Sequence, residues 1–232
     1  MVLNAQNGVD IGSEIQWRWT KKMHCPVVFA VNQLDHEKAN FDETLRELKH
    51  YFGNSVLPLQ YPVNAGIGFD SVIDLLQMKL LKFPANGGKM VVEDIPASEK
   101  AKAEEMHGAL IEAAAENDET LMDKFFEEGT LSEEEMMRGL KLGVINRGTF
   151  PVVCIAAKTD QGVERLMQII KGNCPNPSEA LPAKTTTGEE LNCNANAPTV
   201  AYIFKTAIEQ HLGEVSFMKI YAGEITEAMD LL

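Results

Sequence analysis

Two short apolar runs, each closed by polar residues, dominate the hydrophobic pattern of this chain. They cover residues 26–31 and 150–157. An unbroken apolar run of this length is typical of a strand buried on both faces of a parallel sheet. Behind each run, apolar residues recur every three or four positions, which predicts helices, the first over residues 41–52. Trp17 and Trp19 precede the first run, and we expect both to pack a helix onto the sheet. Strands alternating with helices predict an α/β fold.

Residues 55–146 interrupt this alternation between the two apolar runs. They open with residues 57–63, whose two prolines indicate an edge strand. Residues 71–83 carry a further strand-like run, and residues 98–128 form one strongly acidic helical stretch. We interpret the whole segment as a small α+β subdomain inserted into the α/β domain.

An apolar stripe along the acidic stretch predicts that one of its faces packs on a core. The members of the stripe are Met106, Leu110, Leu121 and Phe125. The acidic side chains around it are compatible with two interpretations, a solvated face or a surface for a partner. Further along, Ser132 and Glu135 have the spacing of a capping box, which predicts a helix over residues 133–142.

The last part of the chain has a different composition. Residues 175–198 are rich in Pro, Asn, Thr and Gly and lack an apolar period, so a linker or extended loop is predicted. Residues 200–204 and 215–221 are rich in apolar, β-branched and aromatic residues, with glycines between and after them, which is typical of antiparallel strands. Both ends of the chain stop abruptly, and we expect an excised piece of a longer protein.

The charge balance restricts the classes of partner. The chain has a formal net charge of −13, whereas a free-standing nucleic-acid binder needs a basic surface. Contact through one local face stays open. The four cysteines include no Cys-x-x-Cys pair, which indicates reduced thiols in a cytoplasmic protein and no metal site. No run approaches the ~20 apolar residues of a membrane span, and the N-terminus lacks a signal-peptide pattern, so no membrane contact is expected.

The first apolar run ends in a candidate base-reading loop, Asn32-Gln33-Leu34-Asp35. In open α/β sheets, ligands bind at the carboxyl ends of the strands. GTPases place Asn-Lys-x-Asp there, and the aspartate accepts hydrogen bonds from the ring N–H and the exocyclic amine of guanine. Adenine cannot supply that pair of donors, so one carboxylate selects the base. Asn32 would fasten the loop, and Gln33 replaces the lysine that covers the base. Taken alone, Asn-x-x-Asp is equally compatible with a capping turn.

The second apolar run ends in Ala156-Ala157-Lys158. GTPases carry Ser-Ala-Lys or Ser-Ala-Leu at this place, and a backbone N–H of that element contacts the guanine oxygen. Close approach of the base requires small residues, which Ala157 satisfies, whereas Ala156 lacks the usual hydroxyl. Residues 157–160 also mimic the lysine-bearing motif, but they lack its asparagine, and the order along the chain favours the first assignment.

With both loops in place, the chain resembles the elongation factor G family of translational GTPases along almost its whole length. The segments that carry the resemblance are residues 8–17, residues 32–35 with 39–41, residues 111–116 with Asp118, residues 162–164, residues 204–205 and residues 220–223. The insert is the most discriminating of these segments, because other translational GTPases share the two ends but generally lack it.

The resemblance implies an α/β fold, namely an incomplete P-loop-type GTPase sheet with an inserted α+β subdomain, followed by the beginning of an antiparallel β-barrel domain. The expected domains are the nucleotide domain at residues 1–54 and 147–180, the insert at residues 55–146, a linker at residues 181–197 and the truncated barrel domain at residues 198–232. The cofactor-binding residues implied are Asn32, Gln33, Asp35, Ala156, Ala157 and Lys158, which would contact the guanine of GTP or GDP.

The implied function is that of a GTP-binding translation factor, which drives GTP-dependent translocation on the ribosome. The implied partners are the ribosome and, through the acidic insert helix with Glu104, Glu105, Glu112 and Glu116, the stalk protein of its large subunit. A cytoplasmic monomer is expected. Two alternatives stay open: a ribosome-protection or release-factor-type GTPase, and a diverged ribosome-binding paralogue that does not hydrolyse GTP.

The motifs that handle phosphate are missing from the sequence. It contains no Gly-x4-Gly-Lys-Ser/Thr and no Asp-x-x-Gly. Gly87-Gly88-Lys89 is a decoy, because Phe83 stands where the first glycine belongs and Met90 follows the lysine. The Mg²⁺ ligands would therefore lie outside this chain. Without a phosphate cradle and its metal, phosphoryl transfer loses its positioning and charge stabilisation, so no catalytic residue and no GTPase activity are predicted for this chain alone.

Overall fold

Strands and helices alternate at both ends of the first 174 residues, as the apolar runs predict. A computed structural model describes residues 1–84 and 89–230. Its elements in chain order are β1 (Val2–Asn4), α1 (Ile11–Lys22), β2 (Phe29–Asn32), α2 (Phe41–Phe52), β3 (Val56–Pro58), β4 (Gln60–Pro62), β5 (Ser71–Asp74), β6 (Lys79–Lys82), β7 (Val91–Glu93), α3 (Ala97–Ala115), α4 (Glu119–Glu128), α5 (Glu133–Ile145), β8 (Phe150–Cys154), α6 (Val163–Asn173), β9 (Ala183–Lys184), β10 (Glu190–Leu191), β11 (Val200–Glu209) and β12 (Gly213–Ala222). The chain divides into two compact units, Met1–Cys174 and Pro175–Leu232.

A parallel sheet of four strands, in the order β1-β2-β8-β3, forms the centre of the first unit. The two predicted apolar runs supply its inner strands, and Val31 and Cys154 lie side by side there without solvent exposure. Two-sided burial explains why these strands are apolar at every position rather than at every second one. The prediction of a mixed α/β fold with a parallel sheet is thereby confirmed.

Aromatic rings fasten α1 to this sheet. The Trp17 ring packs against Phe29, Phe52 and Phe150, with centroid separations of 5.9, 4.8 and 4.8 Å respectively. The expectation that Trp19 packs in the same way is wrong, because its side chain is 58% exposed. Two residues along a helix turn the side chain by about 200°, so both tryptophans cannot face the sheet.

The predicted edge strand at residues 57–63 divides between two sheets. Its first part is β3, at the edge of the parallel sheet, and its second part is β4, which begins an antiparallel sheet of order β4-β5-β6-β7. The fully buried Leu59 joins them, donating its N–H to Val152 O (2.9 Å) and accepting from Leu75 N–H (2.9 Å). The second sheet therefore starts after β3, at Gln60.

The acidic stretch at residues 98–128 is two helices rather than one. Asp118 ends the continuity, because its Oδ1 accepts from Thr120 N–H at 2.9 Å and caps the start of α4. Leu110 and Leu121 of the predicted stripe are buried, and Met106 and Phe125 are partly buried against the core. The predicted capping box of Ser132 and Glu135 is present, although α5 continues three residues beyond the predicted end at 142.

The second unit consists of two antiparallel pairs, β9 with β10 and β11 with β12. The strands β11 and β12 include the predicted residues 200–204 and 215–221 and are each 10 residues long. The predicted linker at 175–198 is not wholly irregular, because Ala183 and Leu191 pair within it. The barrel itself stays a prediction, since the described residues of this unit form two separate two-stranded sheets.

Gly87 and Gly88 of the decoy motif lie outside the described residues. None of the described helices combines the length and the apolar composition that crossing a membrane requires.

Candidate functional site

Three strands of the parallel sheet end at the same edge and bring the predicted loops together. β1 ends in Asn4, β2 runs into residues 32–36, and β8 runs into residues 155–162. We call the last two segments the β2 loop and the β8 loop. Because the strands are parallel, their carboxyl ends form one face, which is where an open α/β sheet holds a ligand.

Asn32 connects the two predicted loops directly. Its Oδ1 accepts the backbone N–H of Ala157 at 3.0 Å, and Leu34 N–H donates to Ile155 O at 3.4 Å. Leu34 itself is fully buried and anchors the middle of the β2 loop. The side chain of Asn32 is therefore a cross-link between segments 125 positions apart in the sequence.

Gln33 takes an unusual backbone conformation and binds β1. Its φ is +62°, a left-handed value that costs a non-glycine residue about 1–3 kcal/mol. Its Oε1 accepts from Asn4 Nδ2 at 2.7 Å, and Asn4 Oδ1 in turn accepts from Gln6 N–H at 2.8 Å. The Gln6 contact fixes which end of the Asn4 amide faces Gln33. The amide at the lysine position is thus held toward β1.

Asp35 follows the buried Leu34 and is half-buried. Among the described residues, none forms a hydrogen bond or an ion pair with its carboxylate. The backbone on both sides is nevertheless held, since Leu34 bonds to Ile155 and His36 N–H donates to Gln33 O at 3.0 Å. A carboxylate that is held in position but has no protein partner can accept both hydrogen bonds from a base edge with two donors.

The β8 loop is a short closed turn. Ala156 and Gln161 exchange backbone hydrogen bonds of 2.9 and 3.1 Å at its neck. Ala156 is fully buried, whereas Ala157 and Lys158 are exposed at the tip. Gly162 closes the turn at φ +78°, and a Cβ there would lie 2.5 Å from Cys154 O, so a glycine is required.

The structure thus brings all six predicted residues to one edge of the sheet, and it adds residues that the sequence reasoning missed. Asn4 is one; it is the polar last residue of β1, as Asn32 is of β2. Gln161 is another, since it holds the neck of the β8 loop. No pattern in the sequence singles it out.

The thiol of Cys154 lies at the end of β8, directly before the β8 loop. It is fully buried and donates to Gln60 O at 3.6 Å, and burial raises its pKa well above the usual value. It is therefore a protonated, structural thiol. Across the described ranges 1–84 and 89–230, no three His, Cys, Asp or Glu side chains are grouped so that they could hold a metal ion.

Comparison with known proteins gives this arrangement its context. Residues 1–176 match the family described as "Elongation factor Tu GTP binding domain". The chain belongs to this family. The family is that of the translational GTPases, whose nucleotide domain binds guanine nucleotides and whose members are GTPases. The three strands and both loops of the site lie within the matched residues.

A solved structure supports the fold of this GTP-binding domain. The crystal structure of a protein from Thermus thermophilus superposes with a TM-score of 0.80 at 22% sequence identity and covers 95% of the chain. At this level of sequence identity, the structural similarity supports the fold alone. The chain spans 31% of the length of that protein.

Proposed function

We propose that this chain is the guanine-recognising part of a translational GTPase of the elongation factor G type, a cytoplasmic enzyme that drives translocation on the ribosome. Asn32 fastens the β8 loop, Asp35 reads the guanine edge, and Ala157 offers its backbone close to the guanine oxygen. Ala156 and Lys158 complete the pocket, and Gln33 flanks it.

The observation that carries this proposal is the Asn32–Ala157 hydrogen bond of 3.0 Å beside the unpartnered carboxylate of Asp35. A capping turn would use the Asp35 carboxylate on a nearby backbone N–H, and no such bond is present among the described residues. The residues present therefore fit a guanine base. The phosphates and Mg²⁺ would be held by motifs that the sequence lacks.

The acidic insert supports a second part of the proposal. Glu104, Glu105, Glu112 and Glu116 are all exposed on α3 or at its end. Like charges spaced four apart weaken a helix slightly, so their accumulation on an exposed surface is compatible with a role in binding. By the resemblance to elongation factor G, that partner is the ribosomal stalk protein.

Nuclear magnetic resonance of the isotope-labelled chain tests the base pocket. Two charge-assisted hydrogen bonds of about 1.5–3 kcal/mol each predict a Kd on the order of 1 mM for GDP. We expect GDP to shift the amide resonances of Leu34, Asp35 and Ala157, and ADP at equal concentration to leave them in place. Equal shifts with both nucleotides, or none at these residues, would refute the proposal.

One observation favours the non-hydrolysing paralogue as a second candidate. The residue at the lysine position, Gln33, is engaged with Asn4 rather than free to cover a base. The variant Gln33→Lys separates the two candidates in the same titration. An unchanged GDP affinity supports a working pocket, whereas a gain of more than about tenfold indicates a pocket that has decayed.

A further inference from the structure

The insert holds the β8 loop through a buried glutamine. Gln161 is 8% exposed, and its Nε2 donates to Phe69 O in the insert at 2.8 Å. Its Oε1 accepts from Thr159 Oγ1 at 2.8 Å, and that hydroxyl also lies 3.2 Å from Ala156 O. One side chain therefore connects the insert to the inside of the β8 loop. We call this connection the Gln161 latch.

A buried carboxylate forms a second connection, to the helix that follows the loop. Asp74, the last residue of β5, is completely buried and accepts two bonds from Arg165, Nε to Oδ2 at 2.7 Å and Nη2 to Oδ1 at 3.2 Å. Asp74 Oδ1 also accepts the backbone N–H groups of Leu76 and Gln77 at 3.1 and 3.0 Å. The insert therefore fixes this carboxylate, which in turn holds the first turn of α6.

The same carboxylate reaches the strand that enters the loop. Gln60 Nε2 donates to Asp74 Oδ2 at 3.1 Å, and Gln60 Oε1 accepts the N–H of Cys154 at 3.2 Å. Cys154 directly precedes the β8 loop and Arg165 lies three residues after it. Both ends of the loop are consequently tied to one carboxylate of the insert.

We propose that Gln161, together with the Asp74–Arg165 pair, positions the β8 loop for the base, so that the insert sets the nucleotide affinity of the pocket. This inference rests on the proposed function, because it assumes that the β8 loop contacts guanine. Gln161 is a positioning residue that acts through Ala156 and Ala157. A partner that moves the insert would, by the same connections, change how tightly the base is held.

Amide hydrogen exchange of the variant Gln161→Leu tests the latch without any nucleotide. The Ala156 amide is buried and bonded to Gln161 O, and the Ala30 amide, bonded to Met1 O, reports the core of the sheet. We expect Ala156 to exchange at least 10-fold faster in the variant, with Ala30 unchanged. Gln16→Leu, an exposed change on α1, is the control and should alter neither amide.

The outcomes separate the latch from the proposed function. Selective acceleration at Ala156, with about tenfold weaker GDP-induced shifts at Ala157, supports the inference. If exchange is faster only at Ala156 but GDP does not shift the wild-type resonances, the latch still positions the loop, and the proposed guanine pocket is wrong. Unchanged exchange at Ala156, or equal acceleration at Ala156 and Ala30, overturns the latch, because equal acceleration reports general destabilisation.

Discussion

At the scale of single residues, the site depends on two side chains of the β2 loop with opposite tasks. Asn32 uses its amide oxygen inside the protein, on Ala157, whereas the carboxylate of Asp35 has no partner among the described residues and is proposed to bind the ligand. The role of Asn32 requires a short side chain with an acceptor oxygen at the end of a buried strand. The role of Asp35 requires a backbone that holds an unpartnered carboxylate in place. Leu34, fully buried between them, supplies that backbone.

Replacing Asn32 by alanine removes the cross-link between the two loops. Loss of one hydrogen bond is expected to lower the free energy of unfolding by about 1 kcal/mol and to weaken GDP binding by about tenfold. Asn7→Ala, at an exposed position of the same edge, is the matched control. A binding titration in which Asn32→Ala and Asn7→Ala behave alike would contradict the role given to Asn32.

The sequence predicted the residues of the proposed pocket but not their hydrogen-bond partners. Asn32, Asp35 and Ala157 could be predicted because the apolar runs show where the buried strands end, and ligands bind at the carboxyl ends of parallel strands. The Asn4–Gln33 bond and the bond from Gln161 to the Phe69 carbonyl could not, because each joins residues distant in sequence. Their geometry depends on the left-handed backbone at Gln33 and on the position of Phe69 in the insert.

At the scale of elements, the insert and α6 are joined by a buried ion pair. The Arg165 and Asp74 side chains are 6% and 0% exposed. A buried pair is weak evidence for stability as such, but removing one partner leaves an uncompensated charge in the interior. The pair therefore makes the insert and α6 interdependent.

The variant Arg165→Met is expected to lower the free energy of unfolding by about 3–5 kcal/mol, because Asp74 stays buried without its partner. Adding Asp74→Asn should restore part of this loss, since the neutral amide keeps an oxygen for the backbone of the turn. Urea denaturation measures both. Arg46→Met, at a side chain that is 71% exposed, should change stability by about 0.5 kcal/mol or less, and a similarly small effect of Arg165→Met would contradict the account.

The acidic face of α3 carries a separate prediction. Reversing Glu104, Glu105, Glu112 and Glu116 to lysine should abolish binding of purified ribosomal stalk protein to the chain, and binding by the wild type should weaken with salt. Glu127, Glu128, Glu133 and Glu134 offer a control of equal charge on α4 and α5, where all four are exposed. Equal binding by the α3 variant and the wild type would exclude this face as the contact.

Elements were predictable where a pattern repeats and less so where the chain changes direction. The buried strands, α2 and the capping box of α5 follow from apolar spacing and cap residues. The division of residues 57–63 between two sheets does not, because the same prolines suit either edge. The break between α3 and α4 depends on Asp118, whose capping role becomes visible only once its bonds to Thr120 and Leu121 are known.

At the scale of the whole molecule, the chain combines the proposed base-reading edge with an insert and lacks the sequence motifs for phosphate. Positioning and charge stabilisation of the phosphates supply almost all of the catalysis in phosphoryl transfer. We therefore expect the chain alone to release no phosphate from GTP above the buffer rate. A malachite-green assay with ribosomes absent and then present measures this, and turnover in either condition would contradict it.

The most direct test of the central claim is a change of base specificity at Asp35. Xanthine carries a carbonyl where guanine carries the exocyclic amine, so the variant Asp35→Asn can accept from the ring N–H and donate to that carbonyl. The account predicts that xanthosine diphosphate shifts the Asp35→Asn amide resonances of Leu34 and Ala157, while GDP no longer does. Asp123→Asn, a change on α4 away from the site, should keep the wild-type response to GDP. If Asp35→Asn still responds to GDP and ignores xanthosine diphosphate, Asp35 does not read the base and the guanine pocket is wrongly assigned.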